Sequence, residues 1–212
     1  MHTSFHRHPL SRQRGMGATV ILFTIALIVL VGAALAYGSR GNSKAFSGES
    51  AKVMSAVLLK QSAEYRDAYN RYVFDGGDPA AMAFAVTAVS PSKALFDPAK
   101  QYGVLQQPPL EAQTTASDWD YQAATAVTGV GSSAKDSIVF LLNVKLAVCQ
   151  QINKQLYGDA ITDAPVVTNV AGTSVAILAA ATLTVTSGRA TGCIASTDTT
   201  PVYIFYSTLA EN

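Results

Sequence analysis

Histidine is missing from almost the whole chain: all three, His2, His6 and His8, lie within the first eight residues. Whatever follows them can hold no Ser-His-Asp triad, no Cys-His dyad and none of the usual histidine-containing zinc sites. The three early histidines admit weak metal binding, but in a short basic tail they serve as a soluble positive leader. Cysteine is nearly as scarce. Cys149 and Cys193 are the only two, with neither a CxxC partner nor a nearby histidine to activate them, so their role is structural. In an exported domain an even pair forms one disulfide, here closing a loop of about 45 residues and contributing about 4 kcal/mol in the chain-entropy model. Two buried free thiols are the alternative.

Charge is also thin, at 14% of residues against about 25% in an average domain. Residues 1–15 hold Arg7, Arg12 and Arg14 and no acid; without them 12 basic residues face 14 acidic ones, a net of −2. No basic stripe remains to follow a phosphate backbone, so nucleic acid is excluded as a partner. Gly129-Val130-Gly131-Ser132-Ser133 lacks the Gly-Lys-Ser/Thr ending of a phosphate loop. Asp75-Gly76-Gly77-Asp78-Pro79 lacks the calcium-loop pattern. No cofactor and no metal is expected, and no catalytic residue is nominated.

What the chain does have is a run without any charge, residues 16–39, preceded by Ser11-Arg12-Gln13-Arg14-Gly15. About 20 apolar residues span a bilayer as a helix, and a segment apolar on every face belongs in a membrane. The arginines place the N-terminus in the cytoplasm and the remaining residues outside. Three fates of the leader are consistent with the residues. Ala34-Leu35-Ala36 matches a secretory cleavage rule, with Tyr37 as the new terminus. The run is longer than a normal signal core, so an uncleaved anchor is equally sound. Cleavage on the cytoplasmic side, after Gly15, would leave the span attached.

Arg12-Gln13-Arg14-Gly15-Met16-Gly17-Ala18-Thr19-Val20, followed by the apolar run, resembles the signal of type IV pilins and pseudopilins. The resemblance implies cleavage after Gly15 by a prepilin peptidase and N-methylation of Met16. It implies a single pass through the bacterial inner membrane, with a head in the periplasm or in an extracellular filament. Its partners would be membrane lipid, other pilin-like subunits and an inner-membrane assembly platform. Most major pilins carry Glu at the fifth mature position, where this chain has Val20. An unpaired carboxylate is costly in a bilayer, and the family members that lack it are minor pilins and tip pseudopilins. Gly17, Ala18, Ala26, Gly32, Ala33 and Ala36 are small enough to let neighbouring helices approach closely; ordinary membrane-span composition is the plainer account of them.

Beyond the span, Gly38-Ser39-Arg40-Gly41-Asn42 loosens the helix, and residues 40–73 form an amphipathic continuation. Ser47 is its candidate N-cap and Glu49 lies in its first turn. Met54, Leu58, Tyr65, Tyr69 and Tyr72 share one face; Lys52, Lys60, Glu64, Arg66, Asp67 and Arg71 occupy the other. The tyrosine stripe predicts a docking seam, with a ligand-stacking platform as the alternative. Lys60–Glu64 and Asp67–Arg71 are spaced as ion pairs. Gly76, Asp78 and Pro79 end this helix and open a short one over residues 80–89. Four prolines then mark an irregular segment, and the period switches to two from Trp119 to Val127. Residues 137–142 predict another strand, Asn143 a cap, and Val148, Cys149, Ile152 and Leu156 the apolar face of a helix ending at Gly158. Residues 175–186 are ambiguous between strand and helix. Residues 193–195 and 202–209 form a terminal hairpin around a polar turn, which the disulfide would pin to the preceding helix. Asp118 and Asp120 flank Trp119, either as a carboxylate pair or, more simply, as exposed charges beside a buried ring.

The predicted fold is therefore α+β: a long N-terminal helix, its first half in the membrane, packed on a small, mainly antiparallel head at residues 74–212. The head would have one further helix and the C-terminal hairpin. The expected function is that of a non-enzymatic pilin-like subunit, a minor pilin or pseudopilin of a type IV pilus or type II secretion-like assembly. The alternative is a single-span, membrane-anchored periplasmic binding or accessory module with no filament role. An exported enzyme finds no nucleophile or metal motif to support it.

Overall fold

A 32-residue helix, α1 (Ser43–Phe74), leads the described part of the chain in the computed structural model. The structure describes residues 43–131, 136–158, 163–165, 182–183 and 188–210. The chain divides into two units, Met1–Phe46 and Ser47–Asn212, and the core described below belongs to the second. The helix already runs at Ser43, so Ser47 lies inside it rather than capping it. At the other end Gly76 takes a left-handed φ of 77°, a conformation open to glycine. Gly76 and Gly77 donate to the carbonyls of Val73 and Tyr72 at 2.9 Å, satisfying the last turn.

The buried stripe of α1 is Ala51, Ser55, Leu58, Ser62, Tyr65, Tyr69 and Tyr72, alternating steps of four and three. Met54, expected in that stripe, is only partly buried, and two serines occupy it instead. Their hydroxyls return to the helix, Ser55 Oγ to Lys52 O at 2.8 Å and Ser62 Oγ to Leu59 O at 2.9 Å. A serine that satisfies itself in this way is buried at little cost, and hydropathy alone does not see it.

Asp78 caps the next element with Oδ1 on the Ala80 amide at 2.9 Å, and Pro79 stands at its first position, as expected. The predicted helix at residues 80–89 does not form. A single 3-10 turn (Pro79–Ala81) gives way to β1 (Met82–Ala83), paired in parallel with β2 (Lys93–Ala94). Phe84 explains the difference: its ring meets those of Tyr65, Phe96 and Tyr121, with centroids 4.8–6.3 Å apart. The chain bends from Phe84 onward instead of coiling into a helix, which delivers that ring, and the aromatic cluster outweighs alanine's helix preference.

The main sheet comprises β3 (Trp119–Val127), β4 (Asp136–Leu141), β5 (Thr182–Leu183), β6 (Thr191–Ala195) and β7 (Tyr203–Ala210), in the order β5-β3-β4-β7-β6. All its pairings are antiparallel except the short one between β3 and β5. The architecture is thus α+β with a mainly antiparallel sheet, and β6 and β7 form the predicted hairpin. Both faces of the sheet are buried. Val139, Leu141, Phe205 and Cys193 face the cluster shared with both helices, whereas Ile138, Phe140, Ile194, Ile204 and Tyr206 form a second cluster behind. A register shift between Gln122 and Thr125 reverses the alternation of β3, so Trp119 joins the first cluster and Val127 the second.

The second helix, α2 (Leu146–Tyr157), begins at Lys145, not Asn143. Asn143 has a φ of 58° and makes the left-handed turn leaving β4, a conformation asparagine tolerates well. The buried face of α2 is Val148, Cys149, Ile152 and Asn153; Leu156, assigned there from its spacing, is 39% exposed. Only residues 182–183 of the ambiguous segment are described, and they form β5.

Candidate functional site

The processing residues Gly15 and Met16 and the small assembly-helix residues Gly17, Ala18, Val20, Ala26, Gly32, Ala33 and Ala36 lie outside the described residues. Among the described residues no helix is long and apolar enough to cross a membrane, and no group of three His, Cys, Asp or Glu is arranged to hold a metal. The head itself offers three places where side chains converge.

The first is the seam under α1. Tyr65 is buried with its ring edge-on to Phe84, Phe96 and Trp119, at centroid distances of 5.3, 5.4 and 5.5 Å. Its hydroxyl donates to Gln106 O and accepts from Gln106 N, both at 3.0 Å. Gln61 joins the same strap, donating to Gln107 O at 3.1 Å while its Oε1 accepts from Trp119 Nε1 at 3.0 Å. Tyr69 donates to Ser137 Oγ at 3.2 Å, and Tyr72 to Asp78 O at 3.0 Å. Burial pushes the Tyr65 and Tyr121 phenols up to about 12. The strap lies so close that a Cβ on Gly103 would stand 2.7 Å from Ala68 Cβ. The tyrosine stripe is thus the docking seam of α1.

Arg66 departs from its expected place on the solvent face. Its Nε donates to Thr208 O at 2.9 Å and its Nη2 to Ser207 Oγ at 3.2 Å and Thr191 Oγ1 at 3.4 Å, tying α1 to β6 and β7. Lys60 and Glu64 pair at 3.6 Å as their spacing predicts. Arg71, expected to pair with Asp67, instead donates to Tyr102 O at 3.4 Å.

The second place is the outer edge of β6, where Cys149, Asn153 and Tyr157 stand one turn apart along α2. Cys149 forms the disulfide with Cys193, with Cα atoms 5.3 Å apart. Asn153 Oδ1 accepts from Cys193 N at 2.8 Å and its Nδ2 donates to Cys193 O at 2.9 Å, the same two bonds a neighbouring strand would make. Tyr157 donates to Thr191 O, and Ala195 N donates to Pro165 O at 2.9 Å. Arg189 lies 4.8 Å above the Tyr157 ring. One helix face therefore substitutes for a sixth strand and closes an edge that would otherwise invite pairing. The sequence marks the cysteines plainly and Asn153 only faintly, as a polar residue four positions after Cys149 on an apolar stripe.

The third place lies at the end of α1, around Tyr102. Its hydroxyl donates to Asp75 Oδ2 at 3.0 Å and its ring meets Tyr72 edge-on at 5.8 Å. Burial, then the bond to Asp75, raises the Tyr102 phenol above its ordinary value. Two cavities, of about 520 Å3 and about 470 Å3, each count Tyr102 among their lining residues. Asp118 and Asp120 form no such site. Asp118 is exposed, whereas Asp120 is half-buried and accepts from the Tyr121 amide at 2.7 Å, burial raising its carboxyl. No family model, curated protein or solved structure matches this chain.

Proposed function

We propose that this chain is a pilin-like structural subunit, a minor pilin or pseudopilin of a type IV pilus or type II secretion-like assembly. One observation carries the reading. A charge-free run of membrane length, behind a basic leader ending in Gly15, precedes a 32-residue helix whose tyrosine stripe seats on an antiparallel, disulfide-stapled head. In such a design the N-terminal helix supplies anchoring and packing against neighbours, and the head supplies contacts; no reaction is assigned to it. Val20 in place of the usual acidic residue favours a minor subunit over the bulk of a fibre. The partners that follow are other pilin-like chains, a prepilin peptidase, an inner-membrane platform and lipid.

The test is the mature N-terminus, measured by peptide mass spectrometry on membranes of the native cell. An N-methylated Met16 is expected. A chain starting at Tyr37 or retaining Met1 overturns the reading, and an intact Met1 favours the anchored accessory module instead.

A further inference from the structure

Two neighbouring cavities lie at the end of α1, and their walls carry an unusual mixture of groups. Both share Asp75, Lys100 and Tyr102, so they lie next to each other; together they are termed the Tyr102 groove. Lys93 and Asp97 line the first, and Phe74 lines the second. Each falls within the roughly 300–1,000 Å3 typical of small-ligand sites. Phe74 is 91% exposed, an aromatic face with nothing packed on it. Tyr102 presents a second ring, held in place by its bond to Asp75. Lys93 and Lys100 are exposed, and their ammonium groups have neither an ion pair nor a hydrogen bond among the described residues.

We propose that this groove binds an acidic oligosaccharide, a chain of sugar rings bearing carboxylates. A sugar ring has an apolar C–H face that suits an exposed aromatic and a rim of hydroxyls that both donate and accept. Phe74 and Tyr102 supply the faces, and the Asp75 and Asp97 carboxylates accept from hydroxyls. One lysine lines only the first compartment and the other lines both, so a carboxylate on each of two successive rings finds a cation. The same aspartates argue against an acidic peptide or a phosphodiester, which brings negative charge with few or no hydroxyl donors to offset it. Two neighbouring cavities with three lining residues in common call for a chain rather than a single sugar. The site does not rest on the pilin reading: it belongs to the head whichever N-terminus the mature chain has.

The full-length chain in detergent micelles is titrated with an α-1,4-linked galacturonate hexamer, read by calorimetry. Saturable binding is expected, with the neutral maltohexaose at least about tenfold weaker, the margin of one lost charge-assisted contact. Lys93→Ala with Lys100→Ala is expected to weaken the hexamer by at least about tenfold, and Phe74→Ala by about fivefold. All three residues are exposed, so the melting temperature should be unchanged. Three results overturn the proposal: no binding of the hexamer, affinity indifferent to the lysine pair, or equal competition by polyglutamate, which would reduce the groove to a basic patch. Because the mature N-terminus is measured separately, failure here leaves the structural reading standing, and the reverse.

Discussion

Along α1, contact with the head is made by Leu58 and by Tyr65, Tyr69 and Tyr72, buried side chains of which the tyrosine hydroxyls find scattered partners on a strap, a turn and a strand. Along α2 it is made by Cys149, Asn153 and Tyr157, which engage the edge of one strand atom for atom. The first interface gains mainly from area removed from water, which is roughly additive and forgiving of small changes. The second gains from a covalent link and paired backbone groups, and losing one partner leaves another buried and unsatisfied. A helix that must also carry an N-terminal segment is thus held broadly, and the edge most open to wrong pairing is held specifically.

The sharpest way to break the contrast is at the disulfide. Cys149→Ser with Cys193→Ser, which spans a separation of 44 residues, is expected to lower the unfolding free energy by about 4 kcal/mol in guanidinium titrations. Next comes Asn153→Ala, which leaves the Cys193 N–H and C=O buried without partners; a loss of about 3 kcal/mol is expected. If it costs less than Tyr65→Phe, the distinction between the two interfaces fails. That substitution keeps the ring cluster and removes only the bonds to Gln106, so about 1 kcal/mol is expected, from the same denaturation curves.

Alkaline pH probes chiefly the seam, where the two largest phenol shifts lie; burial also raises Tyr157 on α2. Tyr65 and Tyr121, pushed up to about 12 in the folded chain, keep their protons where an unfolded chain, at its ordinary value near 10, releases them. Their contribution is complete below pH 10 and is lost as pH rises through about 12. Denaturation midpoints should therefore fall between pH 10 and 12, and phenolate absorbance should lag behind that of free tyrosine. The smallest effect is expected at Lys60→Ala, where an exposed pair is removed and stability should move by less than about 0.5 kcal/mol.

Much of the fold is legible in the residues because its signals are local. The tyrosine period, the glycines after Phe74, Asp78 before Pro79, and the apolar runs of β4 and β7 each declare an element within a few positions. The errors share a cause. Hydropathy and propensity favour Met54 over Ser55, Leu156 over Asn153 and a helix over the bend at Phe84, because they weigh a residue without its partner. The Tyr102 groove was not legible at all: Phe74, Lys93 and Tyr102 come from three segments that only folding brings together.

By itself, the sequence determined what depends on composition and periodicity: no histidine chemistry in the head, a charge-free run of membrane length, a helix with one tyrosine face, and an even pair of cysteines. Only the tertiary structure decided that Arg66 reaches the sheet, that Asn153 stands in for a strand, that the register shift in β3 exchanges its faces, and that Lys93, Lys100 and exposed Phe74 line two neighbouring cavities. The physical reason is that a polar side chain's place is set by the donor or acceptor it meets, and the chain meets that partner only after it has folded.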